Sequence, residues 1–350
     1  MMLVGALSGV LGTVGEARAV PPEIAVHSAS VTGSLPKGAT ISPDGKRLFV
    51  SNYGLANHHN VSIYDVQTLS EVQHVDIPGI VVETAIAPDG KTLYVSNFQR
   101  NSVQFIDLES RLVKREVKAG AHPKILVLSH DGKRLFAANW SSQNVTEIDT
   151  VTGKVVRTLR VHENPRGMAI TRTGKLFVAN FNGASIDVFE GLGMKVHRRV
   201  DNVCKIPRHL VLAPDESKLY VSCLLANQVA VFDTQTERVV RRIHVGVFPK
   251  AIDVTGDGRY VVTADYRGST TTIIDTRDWT TRTLDVPGMD AASGVVAAHG
   301  KALRFFVTGW YDNHVYSVGA SDARREYKVN AKEAEHTMRM RGWHRKHPVQ

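Results

Sequence analysis

Five Pro-Lys or Pro-Arg pairs recur along the chain, and they supply side chains that proteins use to bind carboxylates and phosphates. The basic members of these pairs are Lys37, Lys124, Arg166, Arg208 and Lys250. Two equivalent places carry Glu83 and Ala292-Ser293 instead. If the fold brings the five cations to one rim, we expect them to focus positive potential on an anionic ligand. His209, directly after Arg208, belongs to the same predicted site.

A second recurring pair joins a polar residue to an aromatic one further along each segment. The pairs are Asn52-Tyr53, Asn97-Phe98, Asn139-Trp140, Asn180-Phe181, Asp265-Tyr266 and Gly309-Trp310, and Cys223-Leu224 takes the remaining place. Aromatic rings interleaved with cations suit stacking and backbone neutralisation of single-stranded nucleic acid. They would equally suit an acidic glycan, a tetrapyrrole carboxylate or an acidic peptide. The four asparagines and six aromatic residues therefore join the predicted ligand site, although both types would also recur if they only capped loops and packed neighbouring segments.

These pairs belong to a repeat that organises nearly the whole chain. The turn Asp44-Gly45 returns six more times in recognisable form, at an interval of 45 residues once and of 42 residues five times. In the second unit, apolar runs bounded by turn signals predict four strands, at residues 84–87, 92–97, 103–107 and 112–117. Four antiparallel strands repeated seven times predict an all-β, seven-bladed β-propeller.

The chain ends must close such a ring. Residues 23–31 precede Pro36 as residues 239–245 precede Pro249, so they are predicted to form the outer strand of the last blade. Residues 325–329 compete for the same place. Within each blade the innermost strand runs away from the entry loop, and the second strand returns. The basic and aromatic pairs are therefore expected on one face, beside the central channel.

The two cysteines lie at the same end of one predicted hairpin, Cys204 before its first strand and Cys223 at the end of its second. We predict a disulfide between them, as expected in an oxidising compartment. Two packed, unpaired thiols are the alternative. No Ser-His-Asp arrangement, phosphate loop or Cys-x-x-Cys-His motif occurs in the sequence. We therefore predict no catalytic residue and no cofactor.

The first unit carries three extra residues in the loop at residues 54–60, on the predicted site face. An insertion at such a place is a candidate binding loop. It contains His58 and His59, but adjacent histidines rarely converge on one ion. His122, His162 and His209 approach the same face without a short metal-ligand spacing. We predict no metal.

A resemblance to a known family follows from the repeat. Residues 88–97, Pro-Asp-Gly-Lys-Thr-Leu-Tyr-Val-Ser-Asn, are followed by Val-x-x-Ile-Asp and resemble the repeat of YVTN-family β-propellers, typified by bacterial periplasmic YncE-like proteins. The resemblance covers about residues 33–319. It implies a secreted or periplasmic propeller, in keeping with a platform that binds an anionic polymer or protein on its channel face.

One unit carries a second resemblance. The run Pro207-Arg208-His209-Leu210 resembles a unit of the bacterial 6-phosphogluconolactonase-type propellers, which implies a lactone hydrolase as the alternative function. The acidic residue that this family carries after the second strand is missing, because Leu224 stands there. General acid–base catalysis therefore lacks an evident agent in this unit.

Composition and chain ends complete the prediction. The formal net charge is +9, which suits an anionic partner. Residues 1–19 are predicted to be a secretory signal ending in Ala17-Arg18-Ala19, although no basic residue precedes Arg18. A frayed end of a cytosolic protein is the alternative. Residues 20–330 are predicted to form the propeller and residues 331–350 a basic tail, in a monomer without a membrane span.

Overall fold

A computed structural model describes residues 23–54, 58–300 and 302–320. These residues form 28 strands and two short 3₁₀ helices, and the strands make seven antiparallel four-stranded sheets. The predicted seven-bladed, all-β propeller is therefore confirmed. The predicted signal at residues 1–19, the tail at residues 331–350 and the competing segment at residues 325–329 lie outside the described residues.

The strands follow one another through the blades in chain order, each blade from its innermost to its outermost strand, except that the first strand, β1 (Ile24–Val31), belongs to the last blade. Blades 1 to 3 contain β2 (Pro36–Ile41), β3 (Arg47–Asn52), β4 (Val61–Asp65) and β5 (Glu71–Val75); β6 (Val81–Ile86), β7 (Thr92–Asn97), β8 (Ser102–Asp107) and β9 (Leu112–Lys118); and β10 (Pro123–Leu128), β11 (Arg134–Asn139), β12 (Asn144–Asp149) and β13 (Val155–Arg160).

Blades 4 to 7 repeat the arrangement. They contain β14 (Pro165–Ile170), β15 (Leu176–Asn180), β16 (Ser185–Glu190) and β17 (Val196–Val200); β18 (Pro207–Leu212), β19 (Lys218–Cys223), β20 (Gln228–Asp233) and β21 (Arg238–His244); β22 (Pro249–Val254), β23 (Tyr260–Asp265), β24 (Thr270–Asp275) and β25 (Thr281–Asp285); and β26 (Ala292–Ala297), β27 (Arg304–Gly309) and β28 (His314–Ala320). The 3₁₀ helices are Leu192–Met194 and Leu224–Ala226.

The ring closes through the N-terminal strand. β1 pairs antiparallel with β28, in a register that runs from Ile24 opposite Ala320 to Val31 opposite His314. The prediction that residues 23–31 form the outer strand of the last blade is therefore confirmed. The amide of Leu35, at the entrance to blade 1, also donates to Asn313 Oδ1 of blade 7 at 2.9 Å. Both contacts join the two ends of the repeat array.

Apolar side chains from adjacent blades pack between the sheets. One cluster, for example, joins Phe49 and Ile63 of blade 1 to Val95 and Ile106 of blade 2. The second and third strands are buried on both faces, which explains their nearly continuous apolar sequence. Several outermost strands are exposed and basic, as in the Leu-Val-Lys-Arg-Glu-Val-Lys sequence of β9 and the Arg-Val-Val-Arg-Arg-Ile-His sequence of β21. Among the described residues, no helix is long and apolar enough to cross a bilayer.

Candidate functional site

A β-bulge at the start of the innermost strands positions the basic residues. In blade 1, Pro36 pairs with Asn52, and the register then shifts before Ala39, so that Lys37 falls in the irregular step. The four other Pro-Lys and Pro-Arg blades shift register at the same step. The residue before the proline is left-handed, as at Leu35 with φ 53°. Because a bulge redirects the side chain of the extra residue, these blades share one way of aiming a cation at the channel.

The bulges surround a small cavity in the channel, with a volume of about 30 Å³. Blades 1 to 5 and blade 7 supply its charged and polar lining, which consists of Lys37, Glu83, Lys124, Arg166, Arg208, His209 and Ser293. Small or apolar residues such as Gly38 and Ala251 line the remainder. Four of the five predicted cations and His209 therefore share one cavity.

The predicted cations and aromatic residues alternate around the channel mouth. Lys250 Nζ lies 4.0 Å from the centre of the Tyr266 ring and 4.1 Å from that of Trp310. Lys124 Nζ lies 4.1 Å from the Trp140 ring and 5.5 Å from the Phe98 ring. Such distances are typical of cation–π contacts. The cations are therefore placed between rings of neighbouring blades.

Two more cations have the same surroundings. Lys37 contacts the rings of Tyr53 and Trp310, at 4.4 Å and 5.7 Å. Arg166 lies between Trp140 and Phe181, at 5.6 Å and 5.7 Å. We call the complete set the cation–aromatic rim; it consists of Lys37, Lys124, Arg166, Arg208, Lys250, Tyr53, Phe98, Trp140, Phe181, Tyr266 and Trp310.

The rim cations have neither an ion pair nor a side-chain hydrogen bond with the part of the chain that the structure describes. Within residues 23–54, 58–300 and 302–320, none of their five side chains donates a hydrogen bond or lies in an ion pair, while sixteen ion pairs occur elsewhere. Removal from bulk water, followed by the charges of Arg166 and Arg208, holds the pKa of Lys37 well below its ordinary value. Burial, then the other cations, lowers the pKa of Lys124 to about 5.

The arginines and Lys250 experience the same field. Burial and then Arg208 lower the pKa of Lys250 well below its ordinary value. Burial lowers the pKa of Arg166 to about 10, and burial and then Arg166 lower that of Arg208. A guanidinium nevertheless keeps its proton in proteins. A bound anion would therefore stabilise the charged form of the rim side chains.

Glu83 is the one carboxylate in the cavity lining. Gly38 makes room for it, because a Cβ at this glycine would lie 2.0 Å from Glu83 Oε1. Burial raises the pKa of Glu83 to about 7, against the lowering effect of a backbone hydrogen bond and of Lys37, Arg166 and Arg208. Four basic side chains share the cavity with this one carboxyl group.

His209 adds a hydrogen-bond donor to the cavity. Its Nδ1 accepts the amide hydrogen of Ile252 at 3.4 Å. Burial and the adjacent Arg208 lower its pKa to about 3, so the imidazole is neutral. A neutral ring that accepts at Nδ1 carries its proton on Nε2. His209 therefore offers an Nε2–H group rather than a lone pair.

The four predicted asparagines lie under the rim and bond within their own blades. Each amide nitrogen donates to a neighbouring strand or loop: Asn52 to Ser62 Oγ at 3.0 Å, Asn97 to Gln104 Oε1 at 3.0 Å, Asn139 to Thr146 Oγ1 at 2.8 Å and Asn180 to Asp187 Oδ2 at 2.9 Å. All four residues are fully buried. Their contacts hold the end of the second strand from which the aromatic residue projects.

Blade 5 differs from the other basic blades because it has no aromatic residue at the mouth. Cys204 and Cys223 form a disulfide there, with their Cα atoms 5.8 Å apart. The bond closes a loop with a sequence separation of 19 residues. In the chain-entropy model such a loop contributes about 3 kcal/mol to stability. The disulfide therefore fixes the strand pair that presents Arg208 and His209.

A separate cluster lies on the outer side of blade 1. His59, Glu71 and His74 place one possible ligand atom each within 4.8 Å of one another. The sequence pointed to His59 in the inserted loop but missed Glu71 and His74. Their convergence depends on how the loop folds back onto β5, and no local spacing encodes that.

The fold and the site define a seven-bladed propeller with a cationic, aromatic channel mouth. The family model of the YNCE-like beta-propeller matches residues 22–173, and the model of the Cytochrome D1 heme domain matches residues 171–345. Together these matches support a YncE-like β-propeller, as the sequence resemblance implied.

Relatives support the same assignment. Antigen Lp49 of Leptospira interrogans is 30% identical over 106 residues, which cover 26% of this chain. The match spans 23% of that protein's length, so it covers about a quarter of the relative. A solved chain of Kuenenia stuttgartiensis Hydrazine Synthase superposes with a TM-score of 0.73 at 20% identity, covering 88% of this chain and 99% of that chain. At this identity the similarity concerns the fold.

The name of the second family model implies a haem, and the residues that line the cavity do not fit one. Protein ligands to haem iron are His, Cys thiolate, Met or Tyr side chains. Of these types the cavity lining offers His209 alone. In this arrangement the Nδ1 lone pair of His209 accepts a hydrogen bond and Nε2 carries the proton, so neither nitrogen is free to bind iron. We derive no step through a haem.

Proposed function

We propose that this propeller is a binding platform whose cation–aromatic rim holds an anionic ligand, of the nucleic acid, acidic glycan or acidic protein class. The observation that carries the proposal is the absence of any hydrogen bond or ion pair from the five rim cations to the described protein residues. Desolvated cations without partners cost stability. A ligand that supplies the missing negative charge accounts for their presence at one mouth.

The contacts suggest how such a ligand binds. Arg166 and Arg208 can each hold a carboxylate or phosphate through two parallel N–H groups. The Nε2–H group of His209 donates to the same anion within the cavity. Exposed parts of the aromatic rings then contact flat or apolar portions of the ligand across the mouth. One anionic group enters the channel while the remainder of the ligand lies over the rim.

We also propose that the protein functions outside the cytoplasm. The Cys204–Cys223 disulfide supports this, because such bonds persist in oxidising compartments. The predicted signal at residues 1–19 is in keeping with it. Mass measurement of the protein recovered from its native host under non-reducing conditions should give two hydrogens fewer than the reduced chain. Two free thiols in that protein would contradict the proposal.

A salt titration tests the rim. A labelled single-stranded oligonucleotide and a sulfated glycan serve as two polyanion probes, and binding is followed by fluorescence anisotropy at rising salt. For a single strand, each neutralised phosphate contributes about 0.7 to the slope of log K against log salt. Changing Lys37 and Lys250 to alanine should therefore reduce the slope by about 1.4 and weaken binding at low salt.

A control separates the rim from other basic surfaces. Lys114 and Arg238 are exposed cations on the outermost strands β9 and β21, without an ion pair in the described part of the chain. Their double alanine variant has the same net charge as the rim variant and should bind the probe like wild type. Equal losses in both variants, or none in the rim variant, would remove the rim from the proposal.

A lactone hydrolase is the second candidate, and one observation favours it. The carboxylate that blade 5 lacks is supplied by blade 2, because Glu83 lines the same cavity as Arg208 and His209. A carboxyl group with a pKa of about 7 is suited to general acid–base catalysis. Glu83 would take a proton from water as it attacks the ester carbonyl, Arg208 would stabilise the oxyanion, and the proton would pass to the alkoxide released by ring opening.

Glu83→Gln separates the two functions. If the cavity is a hydrolytic site, this variant loses the turnover of simple lactones because the general base is gone. If the cavity is a binding site, the variant binds polyanions more tightly than wild type, because it lacks a negative charge near the rim. Lactone turnover that survives both Glu83→Gln and Arg208→Ala would exclude hydrolysis at this site.

A further inference from the structure

The cluster on the outer side of blade 1 combines three side chains from two parts of the chain. His59 comes from the inserted loop, while Glu71 and His74 come from β5. His59 Nε2 lies 2.8 Å from Glu71 Oε1, and the rings of His59 and His74 are stacked with centres 4.6 Å apart. We propose that His59, Glu71 and His74 form a binding site for a zinc ion.

The backbone of His59 is held from both sides. Its amide donates to Asp76 Oδ1 at 2.7 Å, and its carbonyl accepts a hydrogen bond from Asn52 Nδ2 at 2.8 Å. With φ at 47°, His59 adopts the left-handed backbone conformation that residues other than glycine seldom take. The equivalent residue before the third strand takes the same conformation in the other blades, as at Asn101 and Gln143, so the repeat itself sets the backbone here. The loop therefore presents this imidazole in a fixed place.

The donor set selects the class of metal. Two imidazole nitrogens and one carboxylate oxygen are ligands of catalytic-type zinc sites, which leave a fourth position open to water or another ligand. Calcium and magnesium prefer oxygen ligands throughout. In the structure His59 and Glu71 are hydrogen-bonded to each other, so zinc would have to replace this bond. Zinc binds the neutral imidazole and the ionised carboxylate, so protons compete with it and binding weakens at acid pH.

The site would fasten the inserted loop beside the rim. Asn52, whose amide holds the His59 carbonyl, immediately precedes the rim residue Tyr53. A metal on His59 would therefore restrict the segment that leaves the rim at blade 1. The zinc site does not depend on the proposed anion binding, because none of its ligands belongs to the rim.

Zinc titration of the full chain tests the site. After dialysis against a chelator, isothermal titration calorimetry should give one zinc per chain, and zinc should raise the Tm because it binds the folded state. His59→Ala, His74→Ala and Glu71→Gln should each weaken this binding about tenfold or more. His244→Ala is the matched control, since it removes another exposed histidine at the end of an outermost strand. It should bind zinc like wild type.

Histidines elsewhere in the chain provide a second control for the zinc experiment. His336, His344 and His347 lie in the segment after residue 320, and their triple alanine variant should keep the zinc stoichiometry. Cobalt can replace zinc, and its visible absorption should change on loss of His59 or His74 but not of His244. Wild-type zinc affinity in the His59 and His74 variants, or loss of binding in the triple variant alone, would overturn the proposal. Polyanion binding by the His74 variant should remain that of wild type.

Discussion

The channel mouth and the outermost strands of the blades both carry many basic side chains, but the surroundings of these side chains differ between the two regions. On the outer strands the basic residues are mostly solvent-exposed, and some have acidic partners, such as Arg198 on β17 with Glu237. At the cation–aromatic rim, Arg166 and Arg208 are buried and the three lysines are partly buried. Among the described residues none of the five has an ion-pair partner, and all except Arg208 contact aromatic rings.

This difference indicates two roles for the same charge. Lysine and arginine on an exposed edge strand prevent pairing with another chain and cost little, because water solvates them. A desolvated cluster of like charges lowers the stability of the protein that carries it. We expect such a cluster only where it contributes to function, as in many active and binding sites that trade stability for activity.

The largest expected effect is on the stability of the ligand-free protein. Lys250→Met replaces a partly buried basic side chain between two rings by an apolar chain of similar length. Replacing buried charges by apolar residues of similar volume can stabilise a protein by about 1–4 kcal/mol. Urea denaturation should therefore show a higher free energy of unfolding for Lys250→Met than for wild type.

Lys114→Met, on an exposed outer strand, is the matched control and should change the free energy of unfolding by less than about 0.5 kcal/mol. A lower stability of Lys250→Met would break the comparison, because it would mean that the cation–π contacts support the fold. The cation would then need no ligand to explain it.

The repeat explains why so much of the fold was predictable. A turn that returns every 42 residues sets the number of blades, and apolar runs mark the strands without any tertiary information. Even so, the innermost strand of blade 2 begins at Val81, three residues before the predicted start at residue 84. The bulge after Val81 interrupts the pairing pattern, and the sequence carries no separate sign of it.

The site was predictable only in part, because partners are set by neighbouring blades. Spacing within the repeat placed the basic and aromatic residues at one mouth. It did not indicate that Lys250 would lie between rings of blades 6 and 7, or that Glu83 would enter the cavity of Arg208. Those relations join residues from different repeats, so they depend on the curvature of the ring and the direction of each bulge.

A smaller effect concerns pH. The rim lysines have folded-state pKa values far below the value of about 10.4 in an unfolded chain, with Lys124 at about 5. Between these values the unfolded chain binds more protons, so stability rises with pH. Buried carboxyl groups act in the opposite direction, since burial raises the pKa of Glu83 to about 7 and that of Asp253 to about 6. These carboxyl groups are fully ionised slightly above neutral pH, so above that pH they no longer change the stability.

Above about pH 7.5 the lysines are therefore expected to dominate, and the Tm of the ligand-free protein should rise towards about pH 9.5. Lys250→Met should flatten this rise, while Lys114→Met should leave it unchanged. Bound polyanion should reverse it, because the ligand favours protonated lysines and binds more tightly as pH falls. A flat wild-type profile in this range would show that the rim lysines titrate like exposed ones.

The smallest effect is expected at the outer strands. Arg198 on β17 donates from Nη1 to Glu190 at 2.9 Å and from Nε to Glu237 at 2.8 Å, and Lys175 also lies 2.7 Å from Glu237. Arg198→Ala leaves Glu237 paired with Lys175, so the loss should be about 0.2–1 kcal/mol at low salt and less at high salt. Urea denaturation at two salt concentrations measures both values. A larger loss of stability that salt does not reduce would mean that the Arg198–Glu237 pair is shielded from water, like the rim. The two regions would then differ in whether the cation has an acidic partner, and not in exposure to water.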